Sequence, residues 1–151
     1  MAVKQYTAAG GVVVQQGVMA GLDPAQLYLL VLDRPARNEV RLPKGHIDDG
    51  ESAREAALRE TAEEAGFTDL EVLDDLGSQI VEYDYQGRHY IRRERYFLMR
   101  LTSPTQIERN EIDTKQFQVR WVPIEEATAQ LTYAAEQQWV ERAIHCLKDR
   151  A

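Results

Sequence analysis

Glu60, Glu63 and Glu64 stand three and four residues apart. On a helix this spacing stacks three carboxylates on one side within a single turn. Left alone, the arrangement is unfavourable. Like charges at i, i+4 cost roughly 0.2–0.5 kcal/mol per pair, and crowding raises carboxylate pKa values. A hard divalent cation reverses that sign, because Mg²⁺ takes oxygen ligands, keeps several waters and bridges carboxylates to substrate phosphates. The competing reading is a solvated acidic face. Arg59, four residues after Glu55 and four before Glu63, can brace one of them. Upstream stands Leu42-Pro43-Lys44-Gly45-His46, followed by Glu51. Glycine lets a backbone approach a ligand closely, Lys44 offers phosphate a positive donor, and His46 can donate or accept. Taken singly, Lys44 reads as a surface lysine and His46 as a satisfied loop histidine.

The charge balance points to the same place. The 151 residues carry 25 Asp plus Glu against 18 Lys plus Arg, a net charge of −7. Residues 45–67 hold seven acids and two arginines, so −5 of the −7 lies in this segment and −2 in the other 128 residues. An acidic chain is a poor binder of nucleic-acid polymers. The length suits a single domain, 1–151, and 44% apolar residues exclude a disordered chain. The longest apolar run, Leu27–Leu32, is far too short to span a membrane. Met1–Gln5 has no apolar signal core, and Cys146 is the only cysteine, so no internal disulfide can form. The expected location is cytoplasmic.

The elements that must position these groups are legible in part. Ala8–Val14 reads as a strand opening on glycines, 17–26 as a loop, and Leu27–Leu32 as a strand buried on both faces and ended by Pro35. Val40–Leu42 is a short strand closed by Pro43 and Gly45. Ser52 with Glu55 fits a capping box, and Gly66 a C-terminal stop. They bracket a helix over Ala53–Ala65 with Leu58, Ala62 and Ala65 as its buried stripe. Val81, Tyr83 and Tyr85 alternate with acids, which predicts a half-exposed strand. Gln86-Gly87 predicts a hairpin turn into a strand from about Tyr90 to Leu101. Phe117–Val122 is a further strand, and Pro123 starts a short helical piece. Ala134–Lys148 closes the chain as a helix with Val140, Ala143, Ile144 and Leu147 on its apolar stripe. Together these predict a mixed sheet covered by helices.

Gly45, Glu51, Arg59, Glu60, Glu63, Glu64 and Gly66, with Ile47 and Phe67 apolar, read G-x5-E-x7-R-E-x2-E-E-x-G. This resembles the signature of the Nudix hydrolases with every invariant position filled. The one departure is Thr61, where the pattern usually has an aliphatic residue. The resemblance implies an α/β/α sandwich with a mixed central sheet and a C-terminal helix, and hydrolysis of a nucleoside diphosphate linked to another group. It implies Glu60 and Glu64 as direct ligands of Mg²⁺ (or Mn²⁺), Glu63 as a direct or water-mediated ligand, and the Lys44 carbonyl as a further one. Arg59 would orient the glutamates and Glu51 would support the loop–helix geometry. The reaction is water attack on phosphorus, and which glutamate acts as general base stays open.

The strings LPKGH and RETAEEAG look like the asymmetrical diadenosine tetraphosphate hydrolases, which tend to carry a tyrosine sixteen to eighteen residues past the motif. Tyr83 and Tyr85 fall at those positions after Phe67. They can stack a base, worth roughly 1–3 kcal/mol, or pack within the fold. An ADP-ribose hydrolase would favour proline at position 82, which is Glu82. The stretch from Arg120 to Ala127 also resembles the subgroup. Tyr133 offers a second ring. Arg93 and Arg95 share a strand face opposite Arg92, so that one or more can reach phosphates or simply protect a sheet edge. The subgroup's acid six residues before the tryptophan is here Lys115, with Glu111 and Asp113 just upstream as substitutes. The implied partner is a small nucleotide polyphosphate, with no nucleic-acid polymer and no membrane. The expected reaction is diadenosine tetraphosphate to ATP and AMP. The alternatives are broad pyrophosphohydrolysis of nucleoside triphosphates or diphosphoinositol phosphates, or a non-catalytic nucleotide sensor. The sensor is disfavoured because no motif glutamate is lost.

Overall fold

Ala8–Gln15 is buried throughout and forms the middle of β1 (Ala2–Gln16) in the computed structural model, which describes residues 2–150. The strand begins six residues earlier than its apolar run. Ala2–Gln5 and Thr7 are exposed and give no burial signal, but β1 pairs in parallel with β6 (Arg88–Leu101) from Ala2↔Arg88 to Val14↔Arg100. The other edge of β1 takes β4 (Lys44–His46) at Ala8–Gly10 and β2 (Leu27–Arg34) at Val14–Gln16, both antiparallel. β2 also pairs with β3 (Glu39–Arg41) and β7 (Gln118–Pro123), and β6 with β5 (Leu70–Tyr85). The result is one seven-stranded mixed sheet, with β3-β2-β1-β6-β5 as its main path. The β5–β6 turn is the expected one. Gln86 and Gly87 have φ of 49° and 76°, the pair of positive values a two-residue hairpin favours.

Successive side chains of the inner strands enter opposite cores, as a doubly covered sheet requires. Val12, Val14, Leu29 and Val31 pack with Trp139 and Val140 of α5 (Ala134–Arg150). Ala9, Val13, Leu30 and Leu32 pack with Ala57 of α2 (Ala53–Ala65) and Phe97. Leu29, Leu30 and Leu32 are fully buried, each worth roughly 1.5–3 kcal/mol over exposure. The sheet with a helical layer on each face is the expected α/β/α sandwich, and α5 is its C-terminal helix.

The α2 capping box forms as the sequence requires. Glu55 N–H donates to Ser52 Oγ (3.1 Å) and Ser52 N–H to Glu55 Oε1 (3.0 Å), an arrangement worth about 1 kcal/mol. Its buried stripe differs from the expected one. Ala56, Ala57, Thr61, Glu64 and Ala65 are buried, whereas Leu58 and Ala62 are only half-buried. Small residues face the sheet because the approach is close. A Cβ on Gly11 would lie 2.8 Å from Thr61 Oγ1. The Thr61 hydroxyl is left buried with no hydrogen-bond partner. Three further differences concern short segments. The loop after β1 contains one helical turn, α1 (Gly17–Ala20). β4 is an additional strand. α3 (Glu111–Gln116) stands where no element was expected, capped by the Asn110 side chain, which accepts from Asp113 N–H (2.8 Å). α4 (Ile124–Gln130) follows Pro123, as expected. Among the described residues no helix is long and apolar enough to cross a membrane.

Candidate functional site

The β4 segment brings the LPKGH residues against α2. Lys44 N–H donates to Glu64 Oε1 (2.8 Å), and a Cβ on Gly45 would collide with the Glu60 carboxylate. Glycine at 45 is therefore needed for close approach rather than for an unusual φ. Arg59 binds the acidic segment together. Its Nε and Nη2 donate to both oxygens of Glu51 (2.7 and 2.9 Å), and Nη2 also donates to the His46 carbonyl (3.0 Å). Its Nη1 donates to Glu60 Oε1 (2.8 Å) and lies 3.3 Å from Glu63 Oε2. Glu55 is not part of this set, because its carboxylate caps α2.

Burial sets the electrostatics. Glu64 is 8% exposed, and loss of solvent lifts its carboxyl to about 7 against the opposing charge of Arg41. Glu60 is raised for the same main reason, opposed by Arg59 and reinforced by Glu63 and Asp113. Glu51 is driven the other way, to about 2, by its hydrogen bonds from Arg59. Glu63 is half-exposed beside Arg59. Among the described residues no three His, Cys, Asp or Glu side chains are already gathered around one point. Arg59 holds Glu60 and Glu63, while Glu64 is turned to the Lys44 amide.

Next to the glutamates, across Lys44, lies a cavity of about 520 Å³. It brings together the side chains of Lys44, Tyr83, Tyr133 and Arg92. Burial, then the nearby Arg41, lowers the Lys44 ammonium to about 8. Tyr83 is not a free platform. Its ring stacks on Tyr90 (5.0 Å between centroids), Arg92 lies over it, and its hydroxyl shares a 2.6 Å hydrogen bond with Tyr6. Tyr133 is the more open ring, 44% exposed.

Other expected site residues lie elsewhere. Arg93 lies outside this cavity. The pleat turns it to the opposite face of β6, into a shallow groove with Gln5, Ile80 and Ile91, and it is Arg92 that reaches the cavity. Tyr85, 46% exposed beside the hairpin turn, is outside the cavity. The His46 ring stacks on Tyr6 at 4.5 Å rather than lining the cavity. Glu111 points to solvent and pairs with Lys115 (2.8 Å), so Asp113, whose charge acts on Glu60, is the nearer acid of α3. Sequence reading missed Arg34, Arg37, Arg41 and Glu136, which line the same cavity. The available signal was the density of arginines between Asp33 and Leu42. A larger groove, about 650 Å³, lies between β5 and α5, away from the acidic helix.

The NUDIX domain profile matches residues 9–143. The chain belongs to the NUDIX domain family. It is 37% identical over 139 residues to a Mycobacterium tuberculosis protein named as a mutator protein, MutT4, covering 91% of this chain and 54% of that protein. It is 29% identical to an 8-oxo-(d)GTP phosphatase of Mycolicibacterium smegmatis, covering 80% of this chain and 35% of the relative. The chain thus spans about half of the first relative and about a third of the second. Among solved structures, a Caenorhabditis elegans Ap4A hydrolase in a binary complex superposes with a TM-score of 0.71 at 26% identity, covering 95% of this chain and 98% of that one. NUDIX relatives of comparable similarity therefore carry names for different nucleotide substrates.

Proposed function

We propose that this chain is a divalent-metal-dependent pyrophosphohydrolase that opens a nucleoside polyphosphate by attack of water on phosphorus, with diadenosine tetraphosphate as preferred substrate and ATP and AMP as products. The supporting observation is the seating of Glu60 and Glu64 against Gly45 and Lys44, with Arg59 bracing the acidic segment. This donor set fits a hard cation. The ligands are oxygens, two of the carboxyls are raised by burial, and Gly45, lacking a Cβ, lets the Glu60 carboxylate lie against the β4 backbone. Glu60, Glu64, Glu63 and the Lys44 carbonyl would hold Mg²⁺ or Mn²⁺. Such an ion, when bound, neutralises phosphate charge and acidifies water.

The protein's own residues do the rest. Arg59 fixes the carboxylates, Glu51 anchors Arg59, and Lys44 and Arg92 present positive charge to phosphates. Tyr133 offers a ring to a base. The subgroup reading is supported by the likeness to the C. elegans Ap4A hydrolase. A C. elegans asymmetrical bis(5'-nucleosyl)-tetraphosphatase is also 30% identical over 94 residues.

The test is a Mg²⁺-dependent hydrolysis panel with product identification. It compares diadenosine tetraphosphate, ADP-ribose, a nucleoside triphosphate, 8-oxo-dGTP and a diphosphoinositol phosphate. Preferred release of ATP plus AMP supports the proposal, and equal rates on every substrate refute the preference. Glu60→Gln and Glu64→Gln should each abolish most turnover with the fold intact. Full activity in both would refute the assignment of the metal ligands.

A further inference from the structure

The cavity beside Lys44 is lined by more positive charge than one pyrophosphate group needs. Arg34, Arg37 and Arg41 face it together with Lys44 and Arg92. Arg92 is already paired with Glu94 at 2.8 Å, and Asp33, next to Arg34 in sequence, is taken by Arg120 at 2.7 Å. Among the described residues, Arg34, Arg37 and Arg41 have no carboxylate partner.

The acids that line the cavity have hydrogen-bond partners of their own, and among the described residues none forms an ion pair with Arg34, Arg37 or Arg41. Glu82 and Asp84 bond the His89 ring (3.1 and 2.7 Å), Glu136 accepts from Leu42 N–H (2.7 Å), and Glu39 faces the Tyr133 hydroxyl. Nor are the arginines slack. The guanidinium groups of Arg34 and Arg41 both lie over the Phe117 ring, at 5.8 and 5.3 Å from its centroid. Stacking of this kind orients the planar fork and leaves its N–H groups for in-plane acceptors. Arg41 Nε is buried and has no hydrogen-bond partner. A buried donor without an acceptor is costly, and clustered like charges add to that cost. A bound polyanion would offset both.

The position of the cluster matters as much as its charge. Arg41 ends β3, three residues before Lys44, whose amide serves Glu64. Arg34 and Arg37 lie further along, at the end of β2 and in the 3₁₀ turn Pro35–Arg37. From the glutamates the positive side chains therefore lead past Lys44 and Arg41 to the β2–β3 turn.

We propose that Arg34, Arg37 and Arg41 form a distal anion subsite, which holds phosphates lying beyond the linkage that is cut and selects substrates with a run of phosphates over those with a single pyrophosphate bridge. The inference rests on the polyphosphate-hydrolase reading for its role in turnover, but its binding component can be read without turnover.

Calorimetric titration of the full chain in EDTA with inorganic tripolyphosphate and with inorganic pyrophosphate tests that component. The Arg34→Ala/Arg37→Ala protein should bind tripolyphosphate roughly tenfold or more weakly, the equivalent of one lost charge-assisted contact. Its pyrophosphate affinity should change by less than about threefold on the same scale, and Arg100→Ala, on the exposed Glu71 pair, should match wild type. In steady-state assays with Mg²⁺, the double variant should show a raised KM for diadenosine tetraphosphate, an unchanged kcat, and an unchanged KM for ADP-ribose. Equal weakening for both inorganic probes, or for neither, would overturn the subsite. If wild type hydrolyses none of the panel while the selective loss of tripolyphosphate binding persists, the subsite stands and the hydrolase reading fails.

Discussion

Glu64→Gln should stabilise the metal-free protein at neutral pH, although it alters a buried residue proposed above as a metal ligand. Glu64 is 8% exposed, and burial raises its carboxyl from an ordinary 4.5 to about 7. Between those values the native state holds more protons than the unfolded chain, so unfolding free energy falls as pH rises. The stability is fully present below pH 4.5 and lost as pH passes through 7. A shift of this size corresponds to about 3 kcal/mol. Glutamine keeps an oxygen for the Lys44 amide and removes the titration. In EDTA, the variant and wild type should therefore be about equally stable near pH 4.5, with the variant gaining up to about 3 kcal/mol by pH 8. Urea denaturation across that range measures the difference directly. Titrations common to both proteins, including the depressed Glu51, cancel. Mg²⁺ should reverse the order at pH 8, because a ligand that binds only the native state adds RT ln(1 + [L]/Kd). That gain belongs to the wild-type carboxylate. A stability difference that is flat with pH in EDTA would refute the reasoning, and so would an equal Mg²⁺ gain in both proteins.

Gly10→Ala would set a Cβ 2.6 Å from the Pro43 carbonyl oxygen and 2.6 Å from the Tyr96 ring, so it should cost about 1–3 kcal/mol, read as a lowered Tm. Trp139→Phe removes the 2.7 Å donor to Glu94, a fully buried carboxylate, and should cost about 1–3 kcal/mol by chemical denaturation; a neutral result would mean that Gln79 and Arg92 suffice. His89 sits between Asp84 and Glu82, which raise its pKa above 6.5, so its stabilisation is present below 6.5 and fades as pH rises through the raised value. NMR titration of its ring should show the elevated pKa, and Asp84→Asn should lower it.

Local signals made α2 legible from end to end. Ser52, Glu55 and Gly66 act within a turn of the helix, and all three do what their types predict. β2 was equally plain, because a strand covered on both sides needs a continuous apolar run. What escaped was non-local. Ala2–Thr7 is strand only because β6 lies beside it. The first half of β5 carries two register shifts that break its alternation, so the strand became legible only near Val81. α3 buries none of its residues and so leaves no periodic stripe. The site divides along the same line. The three glutamates share one helix, and their spacing shows in the sequence. Arg34, Arg37 and Arg41 come from a strand end, a 3₁₀ turn and a short edge strand that the β2–β3 hairpin places together, and Arg92 joins them from β6.

The segment between these two charged regions is held from both layers of the sandwich. Leu42 N–H donates to Glu136 on α5 at 2.7 Å, and Lys44 N–H donates to Glu64 on α2 at 2.8 Å. Between them the Pro43 carbonyl accepts from Gly11 N–H of β1 at 3.1 Å. Glu136 and Glu64 are both buried carboxyls raised by desolvation, and each satisfies a backbone donor that would otherwise be orphaned at the end of a very short strand. Two buried acids would be an expensive way to anchor an ordinary loop, since amide side chains could accept the same bonds without the desolvation of a charge. Their cost becomes intelligible from the other side of the segment, where Lys44 and Arg41 stand close enough to act on both carboxyls. The acids offset part of that positive charge while the site is free of anions. A polyphosphate arriving there would take over the same cations, so the segment can present positive charge to the cavity without the fold having to bear it uncompensated.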